Sequence, residues 1–261
     1  MLHQINSYIF ETGIYSNKGQ KSMNTHSYFE PLLRKELKPL YKDLMEAVKP
    51  YNHDICPFAM QWGEEFPKEN NQGILFVGRA TNGWVSESDN VEDLFGTTDE
   101  AIFDRVDQMK WVERNDNPYY NSNKSAFWRV IRGVSAVYYT QHELNHVAWS
   151  NVAKVAPPEG NPDDTLYYLQ LECSNKILST EIKILSPKAV VFLTGEGWAK
   201  DAIEYLGNGI YPEPVAEKEW GGGFTAKLYR LDKLGIILTE HPQTKEETTH
   251  VDAIKALIDL I

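Results

Sequence analysis

The sequence predicts an α/β protein with a parallel, helix-covered sheet, and three observations carry that expectation. Short apolar runs alternate with amphipathic stretches, the pattern of strands joined by crossover helices. Four of the runs, 74–77, 147–152, 189–193 and 235–239, end in glycine-rich or polar loops. In a parallel sheet those four loops share one rim, where ligands of open α/β sheets bind. No repeat or low-complexity linker interrupts residues 28–261, which therefore read as a single domain. Residues 1–27 mix Ser, Asn, Gly and Lys with few periodic apolar positions and read as a loosely ordered arm.

Each element has a local reason. Pro31 to Lys49 reads as helix, with Leu32, Leu33, Leu37, Leu40, Leu44 and Val48 on one side, and Pro39 is expected to kink or split it. Ile74 to Val77 is a buried strand that runs into a turn built from Gly78, Asn82 and Gly83. Residues 84–123 are long and polar, with a short helix expected around 99–111. Ser125 to Tyr138 is an amphipathic helix carrying Phe127, Val130, Ile131, Val134 and Val137.

Residues 147–152 form a short strand, followed by a Pro/Gly loop over 154–162. Asp163 or Asp164 can then cap a long helix that Pro187 ends. Ala189 to Leu193 is a strongly apolar strand, and Gly195 and Gly197 turn the chain into a helix over 198–206. Strands over 224–231 and 235–239 follow, the second ending at Glu240-His241-Pro242, and 251–261 close as an amphipathic helix.

Composition narrows the classes. Of 261 residues, 42% are hydrophobic and 24% charged, ordinary for a soluble globular protein. No apolar run reaches the length of a membrane span, so no membrane partner is expected. Met1 to Phe10 lacks a basic start followed by an apolar stretch, so no secretory signal is expected. Two cysteines, Cys56 and Cys173, are too few for a disulfide framework. A reduced, cytoplasmic protein without metal or cofactor is the expectation. A net charge of −11 disfavours a surface that grips nucleic acid throughout. Two local basic groups, Arg34, Lys35, Lys38 and Lys42, and Lys124, Arg129 and Arg132, read as solvated helix faces.

The loops at the predicted rim carry the chemistry. They are Gly78-Arg79-Ala80-Thr81-Asn82-Gly83-Trp84, then Ser150-Asn151-Val152-Ala153-Lys154 running into Pro157-Pro158, then Glu240-His241-Pro242-Gln243. Between the last two lies a Pro187-Lys188 pair before an apolar strand ending at Gly195. Taken in order, these blocks resemble the uracil-DNA glycosylase superfamily over about residues 70–260. Asn123-Lys-Ser-Ala-Phe-Trp-Arg129 also resembles a helix start of its mismatch-specific members.

The resemblance implies a three-layer α/β/α fold with a central, mostly parallel four-stranded sheet. It implies hydrolysis of the base–sugar N-glycosidic bond of a flipped-out nucleotide. Asn151 would read the base edge, because a carboxamide offers both a donor and an acceptor. His241 would stabilise the departing base, with Pro242 fixing the turn behind it. Gly78, Arg79, Thr81 and Trp84 would line the substrate site. The implied partners are single-stranded or damaged DNA, or a free nucleobase or nucleotide. Taken on their own residues, Asn151 also fits a turn former and His241 a surface loop.

The chain departs from the family's pattern in two places. Ala80 stands where members carry an acidic or amide group that holds the attacking water, and Thr81 replaces the usual proline. Asn82 is the nearest substitute for that group, with Glu87 and Asp89 further on. After His241-Pro242, residues 243–249 include Glu246 and Glu247 where active members carry small residues and an apolar wedge. The alternative is therefore a catalytically silent nucleobase- or nucleotide-binding or interaction module on the same scaffold. Trp84, Trp111, Tyr119, Tyr120 and Trp149 are candidate stacking residues or core aromatics.

Overall fold

The computed structural model describes residues 25–68, 72–81, 91–95, 108–115 and 120–261. Among them the chain forms helix α1 (Thr25–Val48), strands β1 (Cys56–Pro57), β2 (Gln61–Trp62) and β3 (Ile74–Gly78), and helices α2 (Val91–Phe95), α3 (Gln108–Arg114) and α4 (Ala126–Tyr138). Strands β4 (Val147–Asn151) and β5 (Val155–Ala156), helix α5 (Asp164–Leu185), strand β6 (Ala189–Leu193) and helix α6 (Glu196–Leu206) follow. The chain closes with β7 (Ala216–Trp220), β8 (Phe224–Leu231), β9 (Leu234–Thr239) and α7 (Glu247–Ile258).

Seven strands form one sheet in the order β2-β4-β3-β6-β9-β8-β7, and β1 pairs with β5 apart from it. The α/β class holds, but the sheet is mixed and larger than the four mostly parallel strands expected. β4-β3-β6-β9 pair in parallel, while β2 on one side and β8 and β7 on the other are antiparallel. The added strands answer a physical need. A buried parallel sheet has open edges, and the two-residue β2 and the charged β7 end it with short or polar strands.

Alternation along the central strands sends side chains into two cores. Leu75, Val77, Ala148, Val190, Phe192, Ile236 and Leu238 pack with buried residues of α1, α2, α5 and α6. Ile74, Phe76, Val147, Trp149, Ala189, Val191, Leu193 and Ile237 pack with α3, α4 and α7. Helices therefore cover both faces, as a parallel centre requires.

Helix α1 runs through both Pro31 and Pro39, so the expected break at Pro39 does not occur. A proline inside a helix costs about 3 kcal/mol through its lost hydrogen bond and ring clash. Leu33, Leu37, Tyr41, Leu44 and Val48 on the opposite face are fully buried, each contributing roughly 1.5–3 kcal/mol. Packing wins, and the carbonyl that Pro39 leaves unpaired is on the solvent side, where Lys35 and Pro39 are exposed. Of the predicted arm, residues 1–24 lie outside the described residues, and α1 already begins at Thr25. Of the helix expected around 99–111, residues 99–107 lie outside the described residues, and α3 covers Gln108–Arg114. Asp163 caps α5 by accepting from Leu166 N, as expected.

Candidate functional site

The four parallel strands end side by side, so the rim is built from Gly78, Asn151, Thr194-Gly195 and Glu240-His241. Register places Gly78 opposite Asn151, and Leu193 opposite Thr239. The pairing continues past the strand ends. Val152 N donates to Gly78 O and Ala153 N to Arg79 O, both at 2.9 Å, and Gly195 N donates to Thr239 O at 2.9 Å.

Asn151 is buried at 1% exposure, and its Nδ2 has no hydrogen-bond acceptor. A buried donor left unpaired costs about 1–3 kcal/mol and is rare in folded proteins. Gly78 makes the room for this amide. A Cβ on Gly78 would lie 2.5 Å from Asn151 Oδ1 and 3.3 Å from the ring of Phe127. Glycine is needed at the end of β3 for close approach, not for an unusual backbone angle.

Beneath the loop, a buried cluster anchors it. Lys154 Nζ donates to Glu181 Oε2 at 2.7 Å and to Ser150 Oγ at 2.5 Å, and Ser150 Oγ donates to Glu181 Oε2 at 2.7 Å. Lys154 and Glu181 side chains are both fully buried. Burial pulls the Lys154 ammonium below its ordinary pKa, and Glu181 opposes that shift. With no route to solvent, this group is scaffold: it ties the loop after Asn151 to α5.

His241 stacks on Phe127 at 6.5 Å between ring centroids and 14° between planes. Burial, then the charges of Arg79 and Lys245, push the imidazole pKa down to about 4. The ring is therefore neutral at physiological pH. Its Nδ1 accepts from Gln243 N at 3.3 Å, which leaves the proton on Nε2 as a donor. Pro242 is buried behind it. Thr239, two residues earlier, shares a 3.0 Å hydrogen bond with His250 Nε2, and His250 stacks on Trp220 at 3.7 Å. The segment carrying His241 is thus fixed from below by α7.

Arg79, leaving the end of β3, and Glu240, leaving the end of β9, both reach over the end of β6. Arg79 Nε donates to Thr194 O at 2.7 Å, and its guanidinium lies 5.9 Å from the centroid of the Trp198 ring. Burial lowers its pKa and Glu240 works against that shift. Both groups crowd the left-handed Gly195 (φ +83°). A Cβ there would lie 3.0 Å from Glu240 Oε2 and 3.6 Å from Arg79 Nη2. Glu240 also lines an open groove with Glu196, Phe224, Thr225 and Lys227.

No protein-family model and no curated protein matches this chain. Of the residues singled out in the sequence, Gly78, Arg79, Asn151, His241 and Pro242 meet at one rim. Thr81 lies just past it, partly buried, as does Ala80. Asn82 and Trp84 lie outside the described residues, as do Glu87, Asp89 and Tyr119. Trp149 belongs to the core, in ring contact with Phe58 and Trp128. Tyr120 is exposed. Arg129 pairs with Glu247 and Arg132 donates to Val112 O, while Lys124 of the same group is exposed. Arg34 pairs with Glu30.

Two residues of the site escaped the sequence. Phe127 reads as one more apolar position of α4, yet its neighbour Trp128 fills the core while Phe127 remains partly exposed between Gly78, Trp149 and His241. Glu240 reads as the polar end of a strand. Among the described residues, no three His, Cys, Asp or Glu side chains are close enough together to hold a metal ion.

Proposed function

We propose that the rim binds a nucleobase and hydrolyses its bond to a sugar, in the manner of a uracil-DNA glycosylase. The orphaned Asn151 amide carries this reading. Its Nδ2 donates to a ring carbonyl and its Oδ1 accepts from the adjacent ring N–H, the edge that uracil presents. Phe127 offers a face for stacking, worth about 1–3 kcal/mol per base. His241 donates from Nε2 to the base as it leaves. The C1′–N bond breaks, its electron pair goes to the base, and water adds to C1′ and gives up a proton that the departed base takes up. A neutral donor that meets charge only as it develops stabilises the transition state more than the ground state.

A second reading keeps the binding and drops the reaction, and Ala80 favours it. A methyl group holds no water and faces no cationic sugar. One pair of measurements separates the two. Calorimetric titration with free uracil gives saturable binding that Asn151→Ala abolishes and Phe127→Ala weakens about tenfold. Release of uracil from uridine or from a uracil-containing single strand marks catalysis, and His241→Ala slows it without abolishing binding. No binding of uracil by the wild type refutes both readings. Binding without release leaves the silent module.

A further inference from the structure

We infer that the occupant of this rim is a ribonucleoside, with Glu240 accepting hydrogen bonds from its sugar hydroxyls, rather than a nucleotide within a DNA strand. The inference rests on the nucleobase reading of Asn151 and names what is attached to the base.

Two observations at opposite ends of the rim define the ligand. At one end, the buried Nδ2 of Asn151 lacks an acceptor. At the other, Glu240 is half-buried and takes part in no hydrogen bond within the described structure. The strands run in the order β4, β3, β6 and β9, and Glu240 Oε2 reaches back over Gly195 at the end of β6, so the carboxylate lies about two spacings of 4.8 Å, or roughly 10 Å, from the end of β4. That span accommodates a base at the Asn151 end followed by one sugar at the Glu240 end. An ionised carboxylate accepts hydrogen bonds and donates none, so it suits a vicinal diol and opposes a phosphate.

The cations of the rim do not offset this. Arg129 is held by Glu247 at 2.5 Å, Lys227 lies 3.4 Å from Glu196, and Lys245 lies over the Phe224 ring at 5.1 Å. Arg79 has Glu240 as its electrostatic partner. Glu246 caps α7 through Thr248 N and Thr249 N, so its charge stands beside the His241 loop. Strand binding depends on cations that neutralise successive phosphates. The cations of this rim are already paired and carboxylates stand among them, the reverse of that arrangement.

The test titrates the intact protein with uracil, uridine, 2′-deoxyuridine and a short single-stranded oligodeoxynucleotide containing one uracil. Uridine binds more tightly than 2′-deoxyuridine. Glu240→Ala weakens uridine about tenfold and leaves free uracil unchanged, as expected for hydrogen bonds to a charged acceptor. Glu240→Gln, which keeps an acceptor but no charge, falls between. The inference is overturned if the oligonucleotide binds more tightly than uridine with a steep salt dependence, or if Glu240→Ala leaves uridine binding unchanged. Asn151→Ala is scored on free uracil alone. Its failure to weaken uracil removes the nucleobase reading and is independent of the Glu240 result.

Discussion

Gly78→Ala tests the close approach on which the site depends. The added Cβ would stand 2.5 Å from Asn151 Oδ1, where ordinary contact begins at 3.4 Å, so the amide must retreat by about 0.9 Å or β3 and β4 must part. The same Cβ would stand 3.3 Å from the Phe127 ring, also closer than ordinary contact. Forcing one methyl into such a space costs about 1–3 kcal/mol. For a domain of this size that lowers the melting temperature by roughly 2–12 °C, at 2–4 °C per kcal/mol. Because Asn151 is displaced directly, uracil affinity falls by more than stability does. Calorimetric melting and uracil titration of the same sample measure both. Gly197→Ala is the matched control: its Cβ meets nothing within 4 Å, and it lies in α6, where alanine is the better helix former. A Gly78→Ala protein that melts with the wild type and binds uracil equally well refutes the packing described for this rim.

Two further outcomes are expected. Lys154→Met leaves Glu181 charged and buried without its cation, and urea unfolding should register a loss of about 3–5 kcal/mol. The Lys154→Met/Glu181→Met pair should lose less than Lys154→Met alone, and simple additivity would speak against a mutually dependent pair. Acid sensitivity should follow His241, whose pKa falls from 6.5 to about 4 on folding. The unfolded chain takes up a proton in that window and the folded one does not. Stability is therefore full above about pH 6.5 and is lost progressively as the pH falls towards 4. His250, pushed down to about 3 chiefly by burial, extends the loss to lower pH. Chemical denaturation of His241→Gln between pH 7 and 4 should show a shallower decline, and an unchanged slope removes His241 as the cause.

The central strands were readable because each is a buried apolar run closed by a glycine or a polar turn, and β3, β4, β6 and β9 match 74–77, 147–152, 189–193 and 235–239 within a residue or two. The edges were not. β1, β2 and β5 have two residues each, too few for any period, and β7 is Ala-Glu-Lys-Glu-Trp, whose exposed centre gives no apolar signal. Pro39 argued for a break because local rules know nothing of the face buried against α5. In the site, Asn151 and His241 were legible as polar residues at strand ends. Phe127 was not, since helical spacing marks core and ligand-facing aromatics alike. Its separation from Trp128 is a matter of which neighbour the sheet covers, and that is decided in three dimensions.

The pairing of β3 has a consequence for how the protein comes into being. Ile74 joins Val147 on one side and Ala189 on the other, both distant along the chain. β7, β8 and β9 are joined by short turns and can associate early, whereas the parallel centre must close long loops first. Asn151 and His241 become neighbours of one rim only after that closure. A ribosome-bound or truncated chain ending before β9 possesses the amide and the phenyl ring but no histidine to face them, so ligand binding should appear late in refolding, after the far-ultraviolet signal of the helices has returned.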